Sequence, residues 1–372
     1  MMKILAAHRN LNFWRAIRPL RMAVLALVVL ALVPSCNKID NPDPGDDGWT
    51  ELGGDRPVNF SSSLATPATK TTTTLPHNTQ FGVYAFYQPG VIGGTPGSWS
   101  QLSTKQWTPN FMFNQQVTFK IVSSTSHTYT YSPLRYWPSN AENTISFWAY
   151  HPRLSNPDFL VANSATDQYK KTSVGLPDIR YSTNGKKDLL VSDLVADQSR
   201  TTTFDPVSFS FHHALSKIDF KVQKVDDPAN AYTVTLTSIS FTNIYNEGIL
   251  RNVGSESGRS WYLASSHTSS LPVFTGTVPV ESAESSIISD ASVIVIPQTF
   301  TSSTNGMLRV EYKLSWTGSG NPRTNVCLCP LTGSWDINQH YIYTLRITPN
   351  MPIEFEVEWT EWGDANNYHL TS

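Results

Sequence analysis

The stretch VSFSFHHALSKIDFKV (207–222) decides the fold. Its first half places Val207, Phe209 and Phe211 on one phase of a period-two alternation, and its second half places Ile218, Phe220 and Val222 on the opposite phase. Period two is the signature of a β-strand with one face on a core and the other toward water, because successive side chains point to opposite faces. A slip of one residue reverses every side chain. All six apolar side chains can be buried only if the strand bulges or changes sheets across His212–Ser216. The polar run Asp197–Thr203 just upstream reads as a connection and places the start of a second domain near residue 204.

The same patterning extends in both directions. Val310, Tyr312, Leu314 and Trp316 alternate with polar residues, as do Tyr341, Tyr343, Leu345 and Ile347. Ile353, Phe355, Val357 and Trp359 alternate with Glu354, Glu356 and Glu358. A phase flip between Leu236 and Ile239 predicts a second bent strand. Three continuous apolar runs, FGVYAFY (81–87), ISFWAY (145–150) and SVIVIP (292–297), predict inner strands covered on both faces. Pro, Gly, Asn and Ser clusters punctuate these segments, and no convincing helix follows residue 56. The class is all-β, built from sandwiches rather than βαβ units. A chain of 372 residues exceeds one domain of about 100–200 residues, so two sandwiches are expected, over 57–203 and 204–372.

The first 36 residues follow different rules. Lys3, Arg9, Arg15, Arg18 and Arg21 lead into the apolar run MAVLALVVLALV (22–33), then Pro34-Ser35-Cys36, with no acidic residue before Asp40. This is the layout of a secretory signal. The apolar run is twelve residues long, short of the ~20 needed to cross a bilayer. Residues 1–35 are therefore expected to be a signal peptide. The tetrad ending at Cys36 resembles the lipobox of bacterial lipoproteins, where the signal is cut before Cys and the Cys is lipidated. Cys36 is then the lipidation site and the membrane contact; in the alternative, the signal is an ordinary one and Cys36 is incidental. Residues 36–56, rich in Asp, Gly and Pro, read as a flexible acidic linker.

Composition excludes several functions. A net charge of −2 gives no electrostatic case for nucleic acid. Three cysteines are too few for a disulfide framework. Cys327 and Cys329 share one strand face and read as small apolar side chains. His212 and His213 are adjacent and point to opposite faces, and no Asp, Glu or Cys stands at ligand spacing beside them. Gly53-Gly54 and Gly93-Gly94 lack the strand–helix frame of a phosphate loop, and no nucleophile elbow is present. No catalytic residue, metal or cofactor is expected, and the chain is not read as an enzyme, although carboxylates that meet only in space would leave no trace in sequence. Eleven Trp residues support a rival reading. Trp99, Trp107 and Trp261 lie in loop-like stretches, where exposed rings could stack on sugars, as in a non-polymerising surface lipoprotein that binds glycans. Trp148, Trp316, Trp335 and Trp359 fall in strand patterns and read as packing residues.

Several blocks, taken in order, carry a resemblance. They are Tyr136-Trp137-Pro138, the run Ile145–Pro152, Asp188-Leu-Leu-Val191, the run Val207–Ile218, the run Trp335–Leu345, and the Glu-alternating segment closing at Trp359 and Trp362. Together they resemble the fimbrillin-like family of Bacteroidales lipoproteins along most of residues 57–363. The resemblance implies two transthyretin-like Greek-key sandwiches, export to the outer membrane and cell surface, and assembly into pili with other subunits. A host protein or glycan is a further partner. It also implies that a trypsin-like protease removes an N-terminal segment with the first strand, and that the vacated groove accepts a strand from the next subunit. Carried onto this chain, Val58–Ser62 is the first strand. The Thr-rich segment 66–74 offers Lys70 where the family often has Arg, and Arg56 precedes the strand but is followed by Pro57, a poor bond for such a protease. Ile353, Phe355, Val357 and Trp359 are the candidate donor residues; in the alternative, this strand completes its own domain.

Overall fold

The structure, a computed structural model, describes residues 56–64, 75–101, 109–123, 126–154, 176, 178–201, 206–227, 231–251, 255–263, 270–285, 287–301, 306–318 and 320–362. The signal segment, nearly all of the linker, Cys36, Lys70 and Trp107 lie outside them. The strands in chain order are β1 (Phe60–Leu64), β2 (Gln80–Gln88), β3 (Met112–Ser123), β4 (Ser126–Thr130), β5 (Thr144–His151), β6 (Ile179–Ser182), β7 (Leu190–Ser192), β8 (Val195–Gln198), β9 (Val207–His213), β10 (Ser216–Lys224), β11 (Tyr232–Thr242), β12 (Glu247–Arg251), β13 (Ser260–Leu263), β14 (Leu271–Val280), β15 (Ser292–Val295), β16 (Gln298–Phe300), β17 (Met307–Trp316), β18 (Arg323–Pro330), β19 (Gly333–Trp335), β20 (Gln339–Ile347) and β21 (Glu354–Glu361). The only helical elements among the described residues are short 3₁₀ turns, at Trp99–Gln101 and Glu256–Gly258. The chain is all-β.

An eight-stranded sheet runs β1-β9-β7-β5-β2-β3-β4, with β8 paired on β5. Two four-stranded sheets, β15-β10-β20-β21 and β14-β11-β17-β18, pack face to face. Their shared core includes Ile218, Phe220, Val234, Leu236, Val310 and Tyr343. A three-stranded sheet, β13-β12-β6, covers one face of the large sheet through a second core that includes Tyr84, Trp148, Tyr150, Ile179 and Leu250.

The phase flip at 207–222 is a change of sheet. β9 belongs to the eight-stranded sheet and β10 to a four-stranded one, and the chain crosses at Ala214-Leu215, both fully buried. Phe209, Phe211, Ile218 and Phe220 are all buried despite their opposite phases. The flip at 236–239 is a bulge. β11 slips against both neighbours between Leu236 and Ser238, and the hydroxyl of the extra residue, Thr237, donates to the Glu311 carbonyl at 2.9 Å.

Two of the three apolar runs are inner strands. β5 is buried at every position and β2 at nearly every one. The third, over 292–297, is corrected: β15 is the edge of its sheet and its burial alternates. Its apolar surface is nevertheless covered. Ile294 packs against the second core, and the loop at 183–186 shields the edge, with Ile294 N–H donating to the Gly185 carbonyl and Thr183 Oγ1 to the Ile294 carbonyl. Gly185 is required there, because it has a φ of +86° and a Cβ would come within 2.7 Å of Val293. An edge strand rich in Val and Ile is safe from pairing with other chains when a loop covers it.

Candidate functional site

β1 is a short strand set on the rim of the large sheet. It runs parallel to β9, with Phe60 opposite Val207, Ser62 opposite Phe209 and Leu64 opposite Phe211. Alternation turns Val58, Phe60 and Leu64 inward, where all three are buried. The Phe60 ring stacks on Phe209 at 5.6 Å and meets Tyr131 at 5.3 Å and Phe147 at 6.0 Å. Polar contacts secure the strand from the other side. The Tyr131 hydroxyl donates to the Val58 carbonyl at 2.8 Å, and Ser62 N–H donates to the Tyr129 hydroxyl at 2.9 Å. Without β1, the groove floor would be Val207, Phe209, Phe211, Phe147 and Tyr131. Tyr129 and Tyr131 had no signal in sequence beyond their shared phase in HTYTY (127–131).

β21 is the edge strand of the β15-β10-β20-β21 sheet. Antiparallel pairing places Phe355 opposite Leu345, Val357 opposite Tyr343 and Trp359 opposite Tyr341. These three therefore share the face whose β20 members are buried, yet Phe355 is only partly covered, Val357 is 39% exposed and Trp359 67% exposed. Ile353, just before the strand, is buried. The Glu row faces water, with Glu356 held bidentately by Arg346 at 3.0 and 2.9 Å. Trp359, expected as a packing residue, is instead the most exposed aromatic of the strand.

The other predicted residues are scattered. Arg56 is half-buried and donates to the Arg200 carbonyl, while its own carbonyl accepts from Trp137 N–H at 2.9 Å. The Arg56–Pro57 bond is thus part of an ordered bridge. Trp99 packs edge-on against Phe86 at 5.1 Å, and its N–H donates to Asp197. Trp261 donates its Nε1–H to the Ala214 carbonyl and borders a cleft of about 700 Å³ that also touches Tyr245, Gln298 and Asp336. Cys327 and Cys329 share a face, with sulfurs 3.6 Å apart. Burial, then the neighbouring Cys327, pushes the Cys329 thiol up to about 12, so it stays a protonated, inert side chain.

The fimbrillin-like family profile matches residues 66–362, most of the chain. The chain belongs to the fimbrillin-like family. Among solved structures, a fimbrial protein from Bacteroides vulgatus has a TM-score of 0.61 at 21% identity, covering 82% of this chain and 99% of that one. A protein from Bacteroides uniformis assigned to cell adhesion has a TM-score of 0.46 at 14% identity, covering 82% and 98%. The tip fimbrial protein Mfa3 from Porphyromonas gingivalis has a TM-score of 0.31 at 10% identity, covering 82% and 100%. A search of curated protein sequences finds no match. The first of these likenesses shows the fold.

In this fimbrillin-like chain His212, His213 and His340 pair with carboxylates, whereas the buried His151 bonds the Gln80 carbonyl at 2.9 Å. His213 Nδ1 lies 2.6 Å from Asp188 Oδ2, and His212 Nε2 lies 3.2 Å from Asp193 Oδ2 on the other face. His340 Nε2 and Lys217 Nζ lie 2.7 and 3.1 Å from Asp219 Oδ2. Ser292 also bonds to Asp219. Burial pushes the Asp219 carboxyl up, but the bonds from His340 and Ser292 and the Lys217 charge outweigh it and hold the group below the usual carboxylate range. A carboxylate depressed in the folded state stabilises the fold above its unfolded value of ~3.9 and loses that contribution as pH falls through its folded value. Asp219→Asn is expected to lower the melting temperature at pH 7, with the gap to the parent narrowing below about pH 4. Thermal unfolding between pH 7 and pH 2 checks this; a gap independent of pH would refute it.

Proposed function

We propose that this chain is a structural or adhesive subunit of a cell-surface pilus, exported as a lipoprotein through Cys36 and joined to its neighbours by strand insertion. Its partners are other fimbrillin-like subunits, the outer membrane through the lipid, and a host protein or glycan. We assign its two sandwich domains to 57–203 and 204–372, with β9 of the second segment completing the eight-stranded sheet of the first. The observation that carries the reading is β1: a short rim strand that, with Val58 just before it, buries three apolar side chains, followed by a Thr-rich segment containing Lys70. Its loss would bare an aromatic groove with one unpaired edge on β9, the arrangement that β-augmentation needs. The alternating, half-uncovered β21 supplies a strand of matching pattern. No step in this role calls for catalysis, and the −2 charge offers nothing to nucleic acid.

Electron microscopy of cells with and without the gene tests the role. Deletion is expected to remove a class of surface filament. Cys36→Ala is expected to abolish fatty-acid labelling and release the protein from the membrane fraction. Unchanged filaments together with loss of glycan binding on deletion would favour a glycan-binding lipoprotein instead. Continued labelling of Cys36→Ala would end the lipoprotein reading.

A further inference from the structure

β21 is held mainly by its main-chain ladder to β20 and buries little side-chain surface of its own. Phe355 and Val357 are only partly covered, and Glu354, Glu356 and Glu358 form a row of carboxylates of which Arg346 pairs Glu356. Its far end is different. Trp362, one residue past the strand, is buried, and its ring lies on the His213 imidazole at 3.8 Å and 7°, a parallel stack. His213 is wholly buried, and its orientation is fixed by Asp188, whose second oxygen accepts from Leu189 N–H at 2.7 Å. Trp362 N–H donates to the Asn338 carbonyl at 2.7 Å, and Asn338 N–H in turn donates to the Leu215 carbonyl at 3.1 Å. Asn338 has a φ of +61°, a conformation that Asn tolerates better than most residues. Every one of these contacts leads to the segment 213–216, where the chain crosses from the eight-stranded sheet to the four-stranded one. Trp362 also belongs to the core beneath the three-stranded sheet, with Trp148, Tyr150 and Leu250.

We propose that Trp362, seated on His213 at the sheet crossing, is the positioning residue that decides whether β21 stays in its own subunit or leaves it. Main-chain bonds to β20 fix the register of the strand, but the buried ring closes its end. Withdrawing the ring empties a site in the core and uncovers His213, so β21 opens from the Trp362 end. Trp359, which looks like the strand's anchor in sequence, contributes little, because its ring already faces water. The consequence for assembly rests on the strand-insertion reading above; the anchor itself does not.

Hydrogen–deuterium exchange of the intact, uncut protein, followed by mass spectrometry of peptides covering 354–361, tests the anchor. Trp362→Ala is expected to speed exchange in β21 by about ten- to a hundredfold while β2 and β5 keep their protection. Trp359→Ala is expected to leave β21 exchange unchanged, and Trp362→Phe, which keeps a ring on His213, to fall between the two. Parent-like β21 exchange in Trp362→Ala would overturn the proposal, as would equal acceleration by Trp359→Ala. If Trp362→Ala loosens every sheet, Trp362→Phe decides: acceleration confined to β21 supports the anchor, and uniform acceleration overturns it. The readout needs no polymer. A chain that passes this test yet forms no oligomer after cleavage would refute strand insertion between copies of this chain and leave the anchor standing.

Discussion

Phe220→Ala is expected to cost about 3–5 kcal/mol, the range for truncating a buried Phe. Phe220 is fully buried between the two four-stranded sheets, with Tyr343 of the adjacent strand at 5.6 Å and Phe241 of the facing sheet at 5.9 Å. Its carbonyl accepts from Ile288 N–H at 2.8 Å, so the backbone there cannot easily slide to fill the void. The ring therefore leaves a cavity that two layers must share. Total stability of a folded domain is only ~5–15 kcal/mol, so the loss is a large fraction. At ~2–4 °C per kcal/mol the melting temperature should fall by roughly 6–20 °C. Val357→Ala, on the same sheet but partly exposed, serves as comparator and should shift the transition by a degree or two at most. A Phe220→Ala melt that overlays the parent would mean that the ring is not in the core, and that the phase flip at 207–222 has another cause.

Much of this architecture was legible because β-structure writes itself in period two. The flip in phase between Phe211 and Ile218 could be satisfied only by a bulge or a sheet change, and the flip at 236–239 obeyed the same rule with the other outcome. What sequence could not distinguish was which outcome each flip would take. That depends on partners far along the chain: β20 and β15 draw β10 into a new sheet, whereas β14 and β17 keep both halves of β11 in one. The apolar run 292–297 misled for a related reason. Continuous apolar residues report that both faces are covered, not what covers them, and here a loop at 183–186 stands where a strand was expected.

The candidate site was legible in outline only. Val58 and Phe60 and the alternating residues 353–359 could be read as a first strand and a last strand. Their environments could not be. That Phe60 would meet Phe209 across a parallel pairing, and that Tyr129 and Tyr131 would hold β1 by their hydroxyls, follows from contacts about 70 to 150 residues apart. Trp359 and Trp362 illustrate the limit most clearly. Both are Trp at the end of the same strand, three residues apart, yet one lies open to water and the other lies buried on His213. Periodicity assigns faces, but it does not say where the facing layer ends.

Cutting the chain between residues 64 and 75 is expected to convert a monomer into SDS-resistant oligomers. The contacts alone do not favour exchange. β1, with Val58 just before it, buries three apolar side chains, Val58, Phe60 and Leu64, worth roughly 5–9 kcal/mol, and inserting Phe355, Val357 and Trp359 in their place is worth about the same. The difference lies in connectivity. While 65–74 is intact, β1 is tethered to its groove at an effective concentration in the millimolar range, whereas a donor from another molecule at micromolar concentration is a thousandfold scarcer, a handicap of about 4 kcal/mol. Cleavage removes the tether without altering the contacts that β1 makes to β9, Tyr129 and Tyr131. β1 then leaves by dilution, the β9 edge and the Phe209–Phe211 floor are bared, and a strand from the next subunit can occupy them for as long as its main-chain bonds hold. Trypsin-family digestion of purified mature protein, followed by size-exclusion chromatography and unboiled gel electrophoresis, measures the outcome. Lys70→Gln should resist the cut and remain monomeric under the same treatment. Parent protein that is cleanly nicked in this segment, loses β1, and still elutes as monomer at high concentration would show that the groove has no strand of this chain to accept, and would make the subunit a terminal component rather than a repeating one.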